Sequence, residues 1–172
     1  VPDGPLTAAT VSLIEQKYLA SKNTSSDGVC AQVVLQLDQS AVQTRDAFSA
    51  NLQIGNNSGH SLTGVSVELE IRDAGGNTVN DLFGFSSPRL NGISAVDGSG
   101  VIASDVVGSS IWTLIPSLLA AGSQPITYTV GGTLRYYDDG VLVTIALAPT
   151  MITVYPQPEL RLDYFLQRDV LS

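Results

Sequence analysis

Oxygen-rich turns are where the residue types and spacing of this chain could do chemistry. Asp97-Gly98-Ser99 with Asp105, Asp73 with Asn77 and Asp81, and Asp138-Asp139 place carboxylates in three polar turns. Calcium takes roughly six to eight oxygen ligands from loops of this kind, so Asp97, Asp105, Asp138 and Asp139 are candidate calcium ligands. None of the three groups has the D-x-[DN]-x-[DN]-G spacing of an EF-hand loop. Asp and Asn also occupy turns because they bond their own backbone and tolerate unusual dihedrals, so the turn reading stands beside the calcium reading. The second candidate chemistry is sugar binding, in which an aromatic ring stacks on a pyranose face. Tyr136 and Tyr137 are adjacent and must point to opposite faces of a strand, which makes Tyr137, beside Asp138-Asp139-Gly140, the candidate for exposure. Trp112 is a second candidate ring, with filling of the core as its favoured role.

Residues suited to catalysis are sparse. General acid–base work needs groups that titrate near neutrality, and the single histidine, His60, lies in an Asn/Ser/Gly turn. A Ser-His-Asp triad would have to recruit that residue, and no Gly-x-Ser-x-Gly elbow stands near it. The one cysteine, Cys30, lies between Val29 and Ala31 and reads as a small buried hydrophobe; alone, it can form no internal disulfide. No Cys/His set offers a zinc site, and no glycine-rich loop carries a P-loop lysine. No pair of carboxylates is singled out for sugar hydrolysis. The chain is expected not to be an enzyme. Asn23-Thr24-Ser25 and Asn56-Asn57-Ser58 match the N-x-[ST] glycosylation pattern.

Composition narrows the partners. The 172 residues carry 16 acids against 8 Lys and Arg, for a net charge of −8. Nucleic-acid binding needs clustered Lys and Arg to neutralise phosphates, and no such cluster exists; an anionic membrane surface is disfavoured for the same reason. Apolar residues make up 44% and charged residues 14%, which suits a folded core under a neutral-polar surface. A chain of this length buries roughly 70% of its unfolded surface and needs no disulfide or metal to hold a core. No segment reaches the roughly 20 apolar residues of a membrane-spanning helix.

Along the chain the dominant period is two. Ala31, Val33, Leu35 and Leu37 face one way with Gln32, Gln36 and Asp38 opposite, and Phe48, Ala50, Leu52 and Ile54, and then Val65, Val67, Leu69 and Ile71, alternate with polar residues. Clean alternation means one face buried and one wet, as antiparallel sheets show. Ile126, Tyr128, Val130, Leu134 and Tyr136 form a strand that turns at Asp138-Asp139-Gly140 into Val141, Val143, Ile145 and Leu147. Asp-Gly between two alternating runs is a hairpin signal. Leu82 to Val96 has no sustained period, Trp112 sits in a strand ended by Pro116, and Ser117 to Pro125 is a loop. Thr7 to Ala20 reads as one amphipathic helix, with Val11, Ile14, Tyr18 and Leu19 on a stripe. About seven strands between Val29 and Tyr155 predict an all-β, antiparallel β-sandwich with Greek-key connections and a short N-terminal helix.

Asn56-Asn57-Ser58-Gly59, followed by Leu62-Thr63-Gly64-Val65-Ser66-Val67 and by Asp73 through Asn77, resembles the turn grammar of bacterial extracellular Ig-like modules. The proline-terminated strand Ile152-Thr153-Val154-Tyr155-Pro156 is similar too. The resemblance covers Val29 to Pro158, while the helix and the region from Leu82 to Ser110 depart from it. It implies an Ig-like module of a large surface or secreted protein, with no catalytic residues carried over. The expected organisation is an N-terminal helix and linker over 1–28, the sandwich over 29–157, and a linker or first strand of a following module over 158–172, where Leu160, Leu162 and Tyr164 alternate. A chain that begins at Val1 and runs through Pro156-Gln157-Pro158 into a further strand is expected to be a piece of a multidomain protein. The expected role is a structural or adhesion module at the cell surface that spaces or presents its neighbours. Its partners would be neighbouring domains, a polysaccharide or another surface protein. An accessory carbohydrate-binding module, centred on Tyr137 and stabilised by calcium, is the alternative.

Overall fold

The alternating runs become strands in the computed structural model, which describes residues 31–158. The expected helix at 7–20, Cys30, the sequon at Asn23 and the strand expected at 159–166 lie outside the described residues. In chain order the strands are β1 (Ala31–Leu37), β2 (Ala41–Gln43), β3 (Phe48–Asn56), β4 (Leu62–Arg72), β5 (Phe83–Phe85), β6 (Arg89–Asn91), β7 (Asp97–Ile102), β8 (Val107–Pro116), β9 (Ile126–Asp138) and β10 (Val141–Tyr155). Among the described residues the count is ten rather than about seven, because β2, β5 and β6 are three-residue pieces too short to show a period.

Two sheets form. One has the order β1-β3-β8-β5, with β6 also paired to β8; the other runs β2-β10-β9-β4-β7. Every pairing is antiparallel except β2 with β10, which is parallel. The partition β1-β3-β8-β5 against β10-β9-β4 is the ABED and GFC grouping of an Ig-type sandwich. The irregular middle of the chain supplies the departure from it. After β5 and β6 pair with β8, the chain crosses to the other sheet and adds β7 beyond β4.

The inner faces of both sheets share one core. Phe48, Ala50, Leu52 and Ile54 of β3 meet Val65, Leu69 and Ile71 of β4, Trp112 and Leu114 of β8, and Tyr128, Val130, Leu134 and Tyr136 of β9. Val143, Ile145 and Leu147 point inward on β10 before the bulge, and Ile152 and Val154 after it. Their parity reverses because residues 148 and 149 on β10 stand against the single residue 131 on β9, between the pairs Leu147↔Gly132 and Thr150↔Val130. Pro149, which has no N–H to give a ladder, occupies this bulge. Beside it, Gly132 has φ 144°, and a Cβ there would run into the Glu68 carbonyl oxygen. Only glycine lets β4 and β9 come that close.

Two polar anchors hold the ends of the sandwich. Tyr128, near the start of β9, sends its phenol 2.6 Å to the Ala120 carbonyl in the preceding loop, and its ring packs edge-on against Phe83, which does the same to Phe48. A tyrosine at this corner, bonded to backbone just upstream, is a recurrent brace of Ig-type sandwiches. At the other end Asn56 is fully buried. Its Nδ2 donates to the carbonyls of His60, Ile102 and Ala103 at 2.7, 3.2 and 2.9 Å, and its Oδ1 accepts from the Ser58 N–H and hydroxyl. The side chain therefore ties the β3–β4 turn to the end of β7.

Chain entry and exit follow from the registers. Ala31 pairs with Asn56, at the end that also holds Ile102 and the β9–β10 hairpin. β10 runs away from that end until the Tyr155 carbonyl accepts the Thr44 N–H, beside Arg45, whose N–H reaches Pro116. The sandwich is entered at one pole and left at the other.

Candidate functional site

The acidic turns are built largely from their own hydrogen bonds. Asp73 Oδ1 accepts from the backbone N–H groups of Gly75 and Asn77, each at 2.9 Å, while the Asn77 amide lies 3.0 Å from Oδ2. These donors, the Asn77 side chain first, hold the Asp73 carboxyl below its ordinary value. Asp97 accepts from the Ser99 hydroxyl and N–H at 2.6 and 3.0 Å and is lowered for the same reason, the hydroxyl being the larger cause. Asp105 has φ 59° in the turn after β7 and accepts from the Ser104 hydroxyl at 2.8 Å. Asp139 and Gly140, with φ 48° and 78°, are the two central residues of the β9–β10 hairpin, and positive φ at both is what a type I′ turn requires. Asp138 pairs with Val141 across that turn, and its Oδ1 is shielded from solvent without a hydrogen-bond partner. Among the described residues, no three His, Cys, Asp or Glu side chains come together in a group able to hold a metal ion. Asp97 and Asp105 stand at opposite ends of β7, and Asp138 and Asp139 sit on a separate hairpin.

The aromatic candidates separate by face. Tyr136 is 2% exposed and Tyr137 is 43% exposed, because consecutive side chains on β9 point to opposite sides. Tyr137 leans its Cδ2–Cε2 edge over Gly64, where a Cβ would lie 2.8 Å from Cδ2; Gly64 has φ 62° at an irregularity in the β4 register. Leu142, Tyr137, Thr63 and Val101 are in register across β10, β9, β4 and β7, which makes an exposed, largely apolar row on the outer face of that sheet. Trp112, by contrast, is 7% exposed and belongs to the core, so it offers no ring face to a ligand. It is placed there because β8 alternates and Trp112 falls on the same side as the buried Ser110 and Leu114.

His60 is exposed in the turn after Asn56, where its N–H donates to the Ser58 hydroxyl. The sequon at Asn56 is not an accessible acceptor, since the side-chain nitrogen that would carry a glycan makes three buried or part-buried hydrogen bonds. Two clefts have no counterpart in the sequence reading. One, of about 360 Å³, lies over Gly131, Gly132 and Pro149 at the bulge, walled by Glu70 and Arg72, which form an ion pair at 2.6 Å. The other, of about 300 Å³, lies on the outer face of the first sheet between β1, β3, β8 and β6. No short motif marks either one, because each draws its walls from strands far apart in sequence.

Among the described residues, no helix is long and apolar enough to cross a membrane. No protein-family model matches the chain. No curated protein matches it either. Among solved structures, the chain is similar to the cupredoxin domain of amoB from Nitrosocaldus yellowstonii, at 9% identity and a TM-score of 0.48, over 83% of this chain and 97% of that one. It is also similar to a family 123 glycoside hydrolase from Clostridium perfringens, at 11% identity and a TM-score of 0.46, over 75% of this chain and 27% of that one. A third likeness is to the periplasmic chaperone SfaE, at 13% identity and a TM-score of 0.43, over 72% of this chain and 58% of that one. Likenesses at this level carry no functional argument.

Proposed function

We infer that this chain is a non-catalytic structural or adhesion module of a multidomain extracellular protein, spacing or presenting the domains on either side of it. The observation that carries this reading is the entry of the chain at the Asn56 pole and its exit past Tyr155 at the opposite pole. Domains joined at opposite ends of a rigid body are held apart along a line, whereas adjacent termini would bring them together. β10 alone is 15 residues, a rise of roughly 45–50 Å between the poles. Pro156-Gln157-Pro158 continues the exit as a stiff segment. The experiment is to fuse a reporter domain to each end and measure the inter-reporter distance distribution in solution. A single narrow, extended distance is expected. A broad distribution like that of a Gly/Ser chain of equal length sinks the spacer reading.

A second reading, an accessory carbohydrate-binding module, draws on the exposed Tyr137 in its row with Leu142, Thr63 and Val101. Affinity electrophoresis through gels containing polysaccharides, with and without calcium, tests it. Retardation by one glycan supports binding, and uniform migration in all of them removes the reading.

A further inference from the structure

On the outer face of the second sheet, exposed apolar side chains gather at the pole where the chain enters. Leu142, Tyr137 and Val101 are 53%, 43% and 41% exposed, and with Thr63 they stand in register across β10, β9, β4 and β7. Farther along the same face the side chains are charged: Glu68 lies 3.7 Å from Arg135, and Glu70 pairs with Arg72. Single exposed hydrophobes need no explanation, but a contiguous row confined to one end of a face marks an interaction surface.

The first 30 residues join the sandwich beside this row. Ala31 pairs with Asn56, whose amide bonds the Ile102 carbonyl; Ile102 pairs with Leu62, and the next residue, Thr63, pairs with Tyr137. Ala31 therefore stands at the level of the row, on β1 alongside β10. The segment 7–20, outside the described residues, reads from its sequence as an amphipathic helix with Val11, Ile14, Tyr18 and Leu19 on one stripe. A helix of that length is marginal alone in water and takes its stability from packing that stripe on an apolar surface. From Val11 to Leu19 the rise is about 12 Å, and three inter-strand gaps give the row a width of about 14 Å. Residues 21–30 reach about 30 Å when extended, enough to pass round a sheet edge where packed sheets lie about 10 Å apart. Charge agrees as well. Both lysines of the chain, Lys17 and Lys22, fall in this segment, and Asp105, Asp138 and Asp139 stand at the same pole as the row.

We propose that this row is the docking site of the chain's own segment 7–20, with Val11, Ile14, Tyr18 and Leu19 seated on Leu142, Tyr137 and Val101. The inference goes beyond the spacer reading, and a docked segment covers the Tyr137 ring that the carbohydrate reading leaves open. The test uses the isotope-labelled full chain with Cys30→Ser and a nitroxide on Gln16→Cys. Amide signals of residues 63, 101, 137 and 142 are expected to broaden, while those of 36, 51 and 111 on the other sheet stay sharp. Ile14→Asp with Tyr18→Asp should abolish the broadening, and both positions lie outside the described strands. Val101→Asp, at an exposed position of β7, should abolish it from the sheet side. Broadening that survives these variants would overturn the proposal. Broadening that also passes from spin-labelled to isotope-labelled copies in a mixture would assign the row to a second copy and overturn it too. A row that stays sharp throughout would overturn it and leave Tyr137 free for a sugar.

Discussion

At the scale of single residues, Tyr128 and Asn56 are the two polar anchors of the sandwich. The Tyr128 phenol is buried against Ala120 and bonded to its carbonyl, so Tyr128→Phe leaves an acceptor bare inside the protein. The expected loss is about 1–2 kcal/mol, seen as a fall in Tm of roughly 3–6 °C. Burial, and secondarily the charge of Asp73, also push the phenol above its ordinary value. A group raised in the folded state stabilises fully below its unfolded value, and that contribution fades as pH climbs through the folded one. The wild-type protein should therefore lose stability above about pH 10, and Tyr128→Phe should flatten that alkaline arm in a pH series of thermal melts. Asn56→Asp keeps the shape of the side chain but removes the donor that serves three carbonyls. We expect a cost of about 2–3 kcal/mol, read from the urea midpoint at unchanged slope. An unaltered midpoint would mean that the turn re-forms without this anchor.

At the scale of elements, the meeting of β4, β9 and β10 leaves no room for a side chain at Gly132. Gly132 combines a positive φ with a Glu68 carbonyl that would occupy the place of its Cβ, whereas Gly140 has a positive φ and open space around it. Gly132→Ala must push two paired strands apart and is expected to prevent folding or cost more than about 3 kcal/mol. Gly140→Ala carries only the backbone strain of the turn and should cost about 1 kcal/mol. Soluble yield and denaturant melts of the two variants side by side check the ranking; equal effects would show that close strand approach is not the constraint. The second half of β4 is served differently, by a side chain. Beyond the reach of β7, the Asn80 amide accepts the Ile71 N–H at 2.7 Å and donates to the Leu69 carbonyl at 2.9 Å, standing in for a neighbouring strand.

For the whole molecule, stability should come from the shared core rather than from a metal. Asp73 and Asp97 have their carboxylates occupied by turn donors, and the described acids do not gather in threes. Thermal melts in calcium and in EDTA are expected to coincide, and a drop on chelation would return the calcium reading to Asp97, Asp105, Asp138 or Asp139. Acid should act instead through Asp73 and Asp97. Both are lowered in the folded state, so their stabilisation is present above the ordinary carboxylate range and lost as pH falls through the folded values. Asp73→Asn should reduce that acid sensitivity while destabilising the protein at neutral pH, because Asn accepts the same N–H bonds more weakly.

Period-two alternation, the Asp139-Gly140 turn and the opposed faces of Tyr136 and Tyr137 were legible from residue order alone. Each is set by the local geometry of an extended chain, in which neighbouring side chains alternate and a two-residue turn needs positive φ. The alternation of Val141, Val143, Ile145 and Leu147 does not carry past Pro149: β10 continues as one strand, and its inward side changes parity there. The short strands β2, β5 and β6 gave no signal, since three residues cannot establish a period. Tertiary structure alone decided which strands share a sheet, that β7 crosses to β4 and that Asn56 is buried under three carbonyls. The same holds for the exposed row that joins residues 142, 137, 63 and 101. Such neighbours are made by hydrogen-bond registers between distant segments, and nothing in the spacing of residues along one strand carries that information.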